Sequence, residues 1–260
     1  MKHRPTRRPP VGLLERTGVP DRSSIVVVAL SLAACGGEGG DPPVDGAGAD
    51  AYRLVGAEST GFDGTTDITT YAWDDEGTLL TQTTTFADGS VQRLDFIHED
   101  GRPVAADEDS DGDGVVDARR RYGYDANGEQ VSREFDTDLD GEYESSTGWS
   151  IDDSGLASAR FAPAGCEPSA CASESELYIG LLYEDGRLVG REIDFEPEPL
   201  DGVAERVMVL RYAPDGRLLS ETTTEVASGA SATTTFAYEE GPCVADFLNS
   251  ESEYFCVRVP

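Results

Sequence analysis

From about residue 60 to residue 241, apolar and polar positions alternate over short runs, and helical spacing is essentially absent. Met208, Leu210 and Tyr212 fall on one face of such a run, as a half-buried strand requires. The runs are rich in Thr, Val, Tyr and Leu, residues that suit a pleated surface. Each run ends on aromatic or apolar residues, passes through a turn closing on Gly, and gives way to a new apolar run. The copies are Tyr71 to Gly77, Phe96 to Gly101, Tyr122 to Gly128, Trp149 to Gly155, Leu182 to Gly186, Leu210 to Gly216 and Phe236 to Gly241, with glycines 24, 27, 27, 31, 30 and 25 residues apart. Gly accepts positive φ without a Cβ clash, and Asp and Asn favour tight turns. A second set of turns lies between them: Asp88-Gly89, Asp113-Gly114, Asp140-Gly141, Asp201-Gly202 and Ser228-Gly229. Strand, turn, strand, turn, repeated, predicts an all-β antiparallel meander of about fourteen strands. So many strands should form a curled or barrel-like sheet, because a flat one exposes both faces and two edges. A propeller fits less well, since a blade takes four strands, near twice this repeat.

The motif Y-x-Y-D-x-x-G, best preserved from Tyr122 to Gly128 and degenerate where Leu or Phe replaces Tyr, resembles the YD repeat of bacterial Rhs-type proteins. The resemblance covers most of residues 60 to 241. It implies a long curling β-sheet that serves as a scaffold or binding surface. Rhs shells are far longer than this chain, so encapsulation of a toxin does not carry over.

The first 24 residues are basic, with Lys2, Arg4, Arg7, Arg8, Arg16 and Arg22 against Glu15 and Asp21, and the apolar run Ile25 to Ala34 follows, ending at Cys35. Positive region, apolar region and small residues in this order read as an export signal. The apolar run of about ten residues is half the ~20 a membrane-spanning helix needs. Leu32-Ala33-Ala34-Cys35 resembles the bacterial lipobox, which implies cleavage before Cys35 and diacylation of its thiol. Gly36 and Gly37, in place of the Asp that signals inner-membrane retention, favour the outer membrane by the same resemblance. The organisation expected is a signal over 1–34, a flexible Gly/Pro/Asp tether over 35–50 and one β-repeat domain over 51–260, with the membrane as a partner through the N-terminal lipid.

Charge narrows the partners. Taking the six basic and two acidic side chains of residues 1–34 from the 20 and 51 of the whole chain leaves 14 and 49, a net charge of −35 with no Lys. Such a surface repels phosphate backbones and anionic lipid, which argues against nucleic acid. It suits solubility, polycationic partners and hard cations. Of the remaining cysteines, Cys166, Cys171, Cys243 and Cys256, an even number in an exported chain reads as disulfides. Four allow three connectivities; Cys166–Cys171 and Cys243–Cys256 are favoured, and a zinc site is the weaker reading for want of C-x₂-C spacing.

Two turns of the second set carry further chemistry. Asp109, Asp111, Asp113 and Asp117, and again Asp136, Asp138, Asp140 and Glu144, fall at positions 1, 3, 5 and 9 of D-x-D-x-D-G-x-x-[DE]. The motif resembles calcium loops of the EF-hand and thrombospondin type 3 kinds, which implies calcium as a cofactor, with affinity on the order of 10⁻⁴–10⁻³ M. Position 12, a bidentate Glu in those loops, is Arg120 in one and Thr147 in the other, and strands rather than helices flank both. Asp-Gly hairpin turns without an ion account for the same residues. Support for catalysis is thin. His98 is the one histidine after the signal, and it reads as an exposed turn residue. No G-x-S-x-G setting or phosphate-cradling loop occurs. Tyr122, Tyr124, Tyr178, Tyr183 and Tyr212 suit either a carbohydrate or peptide platform or cross-strand core packing. The function expected is a non-enzymatic, outer-membrane-anchored scaffold or binding module, calcium-stabilised, for an envelope or extracellular protein or glycan. The alternatives are a glycan hydrolase with paired carboxylates and a small-ligand-binding β-barrel.

Overall fold

The computed structural model describes residues 51–126, 130–151, 157–163, 176–184, 187–194, 204–243 and 256–258. They form fifteen strands: β1 (Ala51–Thr60), β2 (Thr66–Trp73), β3 (Leu79–Thr85), β4 (Val91–Glu99), β5 (Arg102–Asp109), β6 (Ala118–Tyr124), β7 (Gln130–Asp136), β8 (Ser145–Ile151), β9 (Ala157–Pro163), β10 (Glu176–Glu184), β11 (Arg187–Asp194), β12 (Arg206–Tyr212), β13 (Leu218–Glu225), β14 (Ser231–Glu240) and the short β15 (Cys256–Arg258). The described residues contain no helix. Cys35, the tether, Cys166, Cys171 and the side chain of Cys256 lie outside the described residues. Cys243 is buried and disulfide-bonded.

Each strand from β1 to β13 pairs antiparallel with the next in sequence order. β14 also pairs with β1, from Tyr52↔Glu240 to Thr60↔Thr233, and β15 pairs with β1 at Ala51 to Arg53. All fourteen long strands therefore have a neighbour on both sides. The meander curls until its last long strand lies against its first, which removes the free edges that invite aggregation.

The curl has a repeated local cause. Trp73 pairs with Leu79 while Ala72 pairs with Thr81, so Leu80 is an extra residue on its strand. The same skip occurs at Val104, Val131, Val189 and Leu219, each just after a turn of the first set. Such bulges bend a strand and increase its right-handed twist. Leu80 and Leu219 turn outward, 44% and 45% exposed, beside Leu79 and Leu218 at 1%. All five bulges lie where even-numbered strands finish, and β1 enters with its own register skip between Leu54 and Gly56 at the same end. There Gly77, at φ +88, also lies so close to Pro242 that a Cβ would sit 2.5 Å from its carbonyl carbon, so no other residue fits.

The main apolar cluster joins Leu188, Ile193, Met208, Leu210 and Leu218, with Leu181, Tyr212 and Phe236 against it. Met208, Leu210 and Tyr212 share one face, as the alternation predicts. The earlier strands bury Leu54, Leu79, Leu94 and Ala106, and Glu108 among them is buried as a paired charge. Glu108 accepts from Gln92 Nε2 at 2.5 Å and from Arg120 Nε at 2.8 Å.

His98 is not an exposed turn residue. The two-residue turn Asp100-Gly101, with φ of 50° and 79°, is so tight that β4 runs on through Glu99 and His98 pairs with Pro103. Half-buried beside Phe96, with ring centroids 6.5 Å apart, its imidazole is held below the usual pKa by burial. Tyr122 stacks 6.5 Å from Phe96, and Tyr124 donates its hydroxyl to Pro103 O at 2.7 Å. Both act as sheet core; Tyr183 is 43% exposed, and the side chain of Tyr178 lies outside the described residues.

Candidate metal centre

In an antiparallel meander all odd-to-even connections lie at one end. Both acidic motifs are of this kind, joining β5 to β6 and β7 to β8, so they lie together at the end opposite the bulges. Two strand spacings, about 10 Å, separate them.

The two loops follow one hydrogen-bonding plan. At position 9, Asp117 Oδ2 accepts from Ser110 N at 2.8 Å, and Glu144 Oε2 accepts from Thr137 N at 2.5 Å. The position-1 carboxylate accepts from the amide of the glycine at position 6: Gly114 N to Asp109 Oδ2 at 2.8 Å, Gly141 N to Asp136 Oδ2 at 3.0 Å. At position 5, Asp113 and Asp140 accept from the amides of Val115 and Glu142 at 2.8 and 2.7 Å. At position 3, Asp111 and Asp138 accept from Asp113 N and Asp140 N at 3.1 and 3.3 Å. Positions 4 and 6 take left-handed backbone in both, with φ of 77° and 87° at Gly112 and Gly114, and 61° and 89° at Leu139 and Gly141.

The loops part at position 4. Gly112 N donates to the second oxygen of Asp109, Oδ1, at 2.7 Å. Asp136 Oδ1 is buried without a hydrogen-bond partner, in a residue only 4% exposed. Burial pushes the Asp109 carboxyl up, but the amides of Gly114, Gly112, Asp111 and Asp113 outweigh it and hold it below the ordinary carboxylate value.

Oxygens of Asp136, Asp138, Asp140 and Glu144 all lie within 4.8 Å of one another; in the other loop only Asp109, Asp111 and Asp117 do so, and Asp113 falls outside. Arg120 and Thr147, at position 12, lie on β6 and β8, and Arg120 is held by Glu108 at 2.7 Å. Neither supplies the bidentate carboxylate that position 12 gives in an EF-hand loop. Four carboxylates in so small a volume repel one another, and a hard divalent cation taking six to eight oxygens relieves that repulsion. Tyr143, at position 8, was not singled out by the motif, yet its ring lies 4.4 Å under the Arg121 guanidinium, which is ion-paired with Glu134. An aromatic at one position 8 and Val116 at the other is the sequence signal for that difference.

No family model matches the sequence, and no curated protein matches it. Among solved structures, a porin-like protein from Bacteroides uniformis overlaps 74% of this chain and 96% of its own at 10% identity, with a TM-score of 0.42. A TcdB2-TccC3 structure overlaps 79% of this chain over 12% of its own at 12% identity and 0.33. A putative outer membrane lipoprotein-sorting protein domain from Vibrio parahaemolyticus overlaps 78% of this chain and 91% of its own at 11% identity and 0.29. Overlaps this loose assign neither a family nor an activity.

Proposed function

We propose that this chain is a lipid-anchored protein of the bacterial cell envelope, most simply of the outer membrane, whose curled sheet is a non-enzymatic scaffold or binding module and whose acidic loops hold calcium. The observation that carries the reading is that oxygens of Asp136, Asp138, Asp140 and Glu144 lie within 4.8 Å of one another, in a group whose Asp136 also keeps an oxygen buried without a partner. The export signal and Cys35 supply the anchor, and more than one acyl chain makes such an anchor durable. The chain enters the sheet at Ala51, at the bulged end, so an anchored domain would present its acidic loops on the far side. Strands of seven to ten residues separate the two ends by about 23–33 Å. A net charge of −35 directs the search for a partner toward cationic proteins or cation-bridged glycans.

Two experiments test the reading. Thermal unfolding of the chain should show a midpoint about 3–5 °C higher in calcium at ten times its dissociation constant than in chelator. An unchanged midpoint at millimolar calcium removes the cation from the proposal. Separately, Cys35→Ala should move the expressed protein from the membrane fraction to the soluble one; retention in membranes removes the lipid anchor.

A further inference from the structure

We infer that the two loops are not equivalent sites: one cation is held per chain, by the β7–β8 loop through Asp136, Asp138, Asp140 and Glu144, while the β5–β6 loop is a self-satisfied copy that stays free of metal. This rests on the calcium reading and adds to it the stoichiometry, the ligand set and a reporter.

Position 1 sets the two loops apart. To receive a cation there, Asp109 must release at least one of two backbone amides, held at 2.7 and 2.8 Å. Asp136 gives up nothing: Gly141 N occupies Oδ2, and Oδ1 is buried and unpartnered. A buried carboxylate oxygen without a donor is unfavourable, and a cation beside it removes that deficit. The remaining ligands point the same way, with four converging carboxylates against three.

The position-4 residues explain why the loops diverge. The Cα of Gly112 lies so close to β4 that a Cβ would come within 3.0 Å of Val91 Cβ. Only glycine lets the β5–β6 loop lean in there and place its amide on Asp109. Leu139, also in the left-handed region, is 44% exposed and does not satisfy Asp136 Oδ1. Tyr143 then fixes the β7–β8 loop against β6, its ring beneath Arg121 at 4.4 Å, and places a phenol next to the ligand Glu144.

Terbium(III), a calcium-sized oxygen-seeking cation, is the probe, because tyrosine excitation sensitises its emission at short range. The full chain should take up one terbium by equilibrium dialysis, with emission excited through tyrosine. Asp138→Asn should weaken uptake about tenfold or more, since ligand charge count sets affinity in such loops. Its exposed counterpart Asp111→Asn should change it less than about threefold. Both residues are exposed, so neither substitution threatens folding. Tyr143→Phe should abolish most of the sensitised emission while dialysis still counts one ion. Two ions per chain, with Asp111→Asn and Asp138→Asn each removing one, would overturn the inequivalence and leave the calcium reading standing. No ion taken up would overturn both.

Discussion

In the β5–β6 loop the carboxylate of the first aspartate is fully used by backbone amides, and the loop is complete as a piece of polypeptide. In the β7–β8 loop the same carboxylate, in the same register, with the same residues at positions 3, 5 and 6 and a carboxylate at position 9 in both, keeps one oxygen buried and idle. Nine positions of shared motif thus yield two different electrostatic objects. The difference traces to one residue, Gly112 against Leu139, and to what lies behind it, Val91 in one case and solvent in the other. A ligand motif specifies which atoms can converge. Whether an ion is needed there depends on how much of the carboxylate the backbone already uses.

Exchanging the position-4 residues should have the largest effect. Gly112→Leu places a side chain at φ +77 and drives it into Val91. Strain of ~1–3 kcal/mol for the backbone and a similar overpacking cost predict a loss of about 3 kcal/mol, or some 6–12 °C in the midpoint of a domain this size. An unchanged midpoint would mean that the contact with Val91 does not hold the loop.

Next in size is truncation at position 1, measured in chelator. Asp109→Ala removes the acceptor of two backbone amides, whereas Asp136→Ala removes the acceptor of one together with an oxygen that has no donor. Asp109→Ala should therefore lower the midpoint clearly more than Asp136→Ala. In saturating calcium the order should narrow or reverse, because only Asp136 then carries a cation. Equal losses in chelator would erase the distinction between the loops.

Much of this was legible in the chain itself. Turns such as Tyr71 to Gly77 and Leu210 to Gly216 announce themselves through Asp and Gly, and the two-residue period assigns Met208, Leu210 and Tyr212 to one face. The bulges were visible too, though only as breaks in that period. Leu79-Leu80, Leu188-Val189 and Leu218-Leu219 put two apolar residues side by side where alternation allows one, and a bulge lets the second turn away from the core. The β14–β1 pairing was not legible, because residues 188 apart such as Tyr52 and Glu240 meet only after the twist of all intervening strands has accumulated. His98 was misplaced because a two-residue turn at Asp100-Gly101 is shorter than the acidic run around it suggests. At the candidate site the ligand residues could be read directly. The idle oxygen of Asp136 could not, since it depends on where a neighbouring amide points, a detail of backbone geometry that residue type constrains only loosely.

Leu139 offers a gentler test. A leucine at φ 61° carries roughly 1 kcal/mol of backbone strain that glycine does not. In chelator, Leu139→Gly should raise the midpoint by about 2–4 °C, unlike most substitutions at an exposed position. If the relaxed amide also swings onto Asp136 Oδ1, calcium should then stabilise the variant less than it does the parent chain. A midpoint that falls would show that the leucine side chain contributes packing that its 44% exposure conceals.

The smallest effect expected comes from acid. The Asp109 carboxyl is held below its ordinary value of 3.8 by the amides of its own loop, which outweigh the opposing effect of burial. A group whose folded pKa is depressed contributes stability that is present above the unfolded value and disappears as pH falls through the folded one. In chelator, the parent chain should therefore lose a contribution below about pH 3.8 that Asp109→Asn, with no proton to take up, does not lose. The gap between the two midpoints should narrow on acidification through that window and stay constant above pH 5. Many other carboxylates titrate in the same range, Asp63, Asp74, Asp95 and Asp215 among them with values likewise lowered. Only the difference between parent and variant isolates the β5–β6 loop. A gap that held constant down to pH 2 would mean that the ionised form of Asp109 is not what its amides recognise, and the contrast with Asp136 would lose its electrostatic basis.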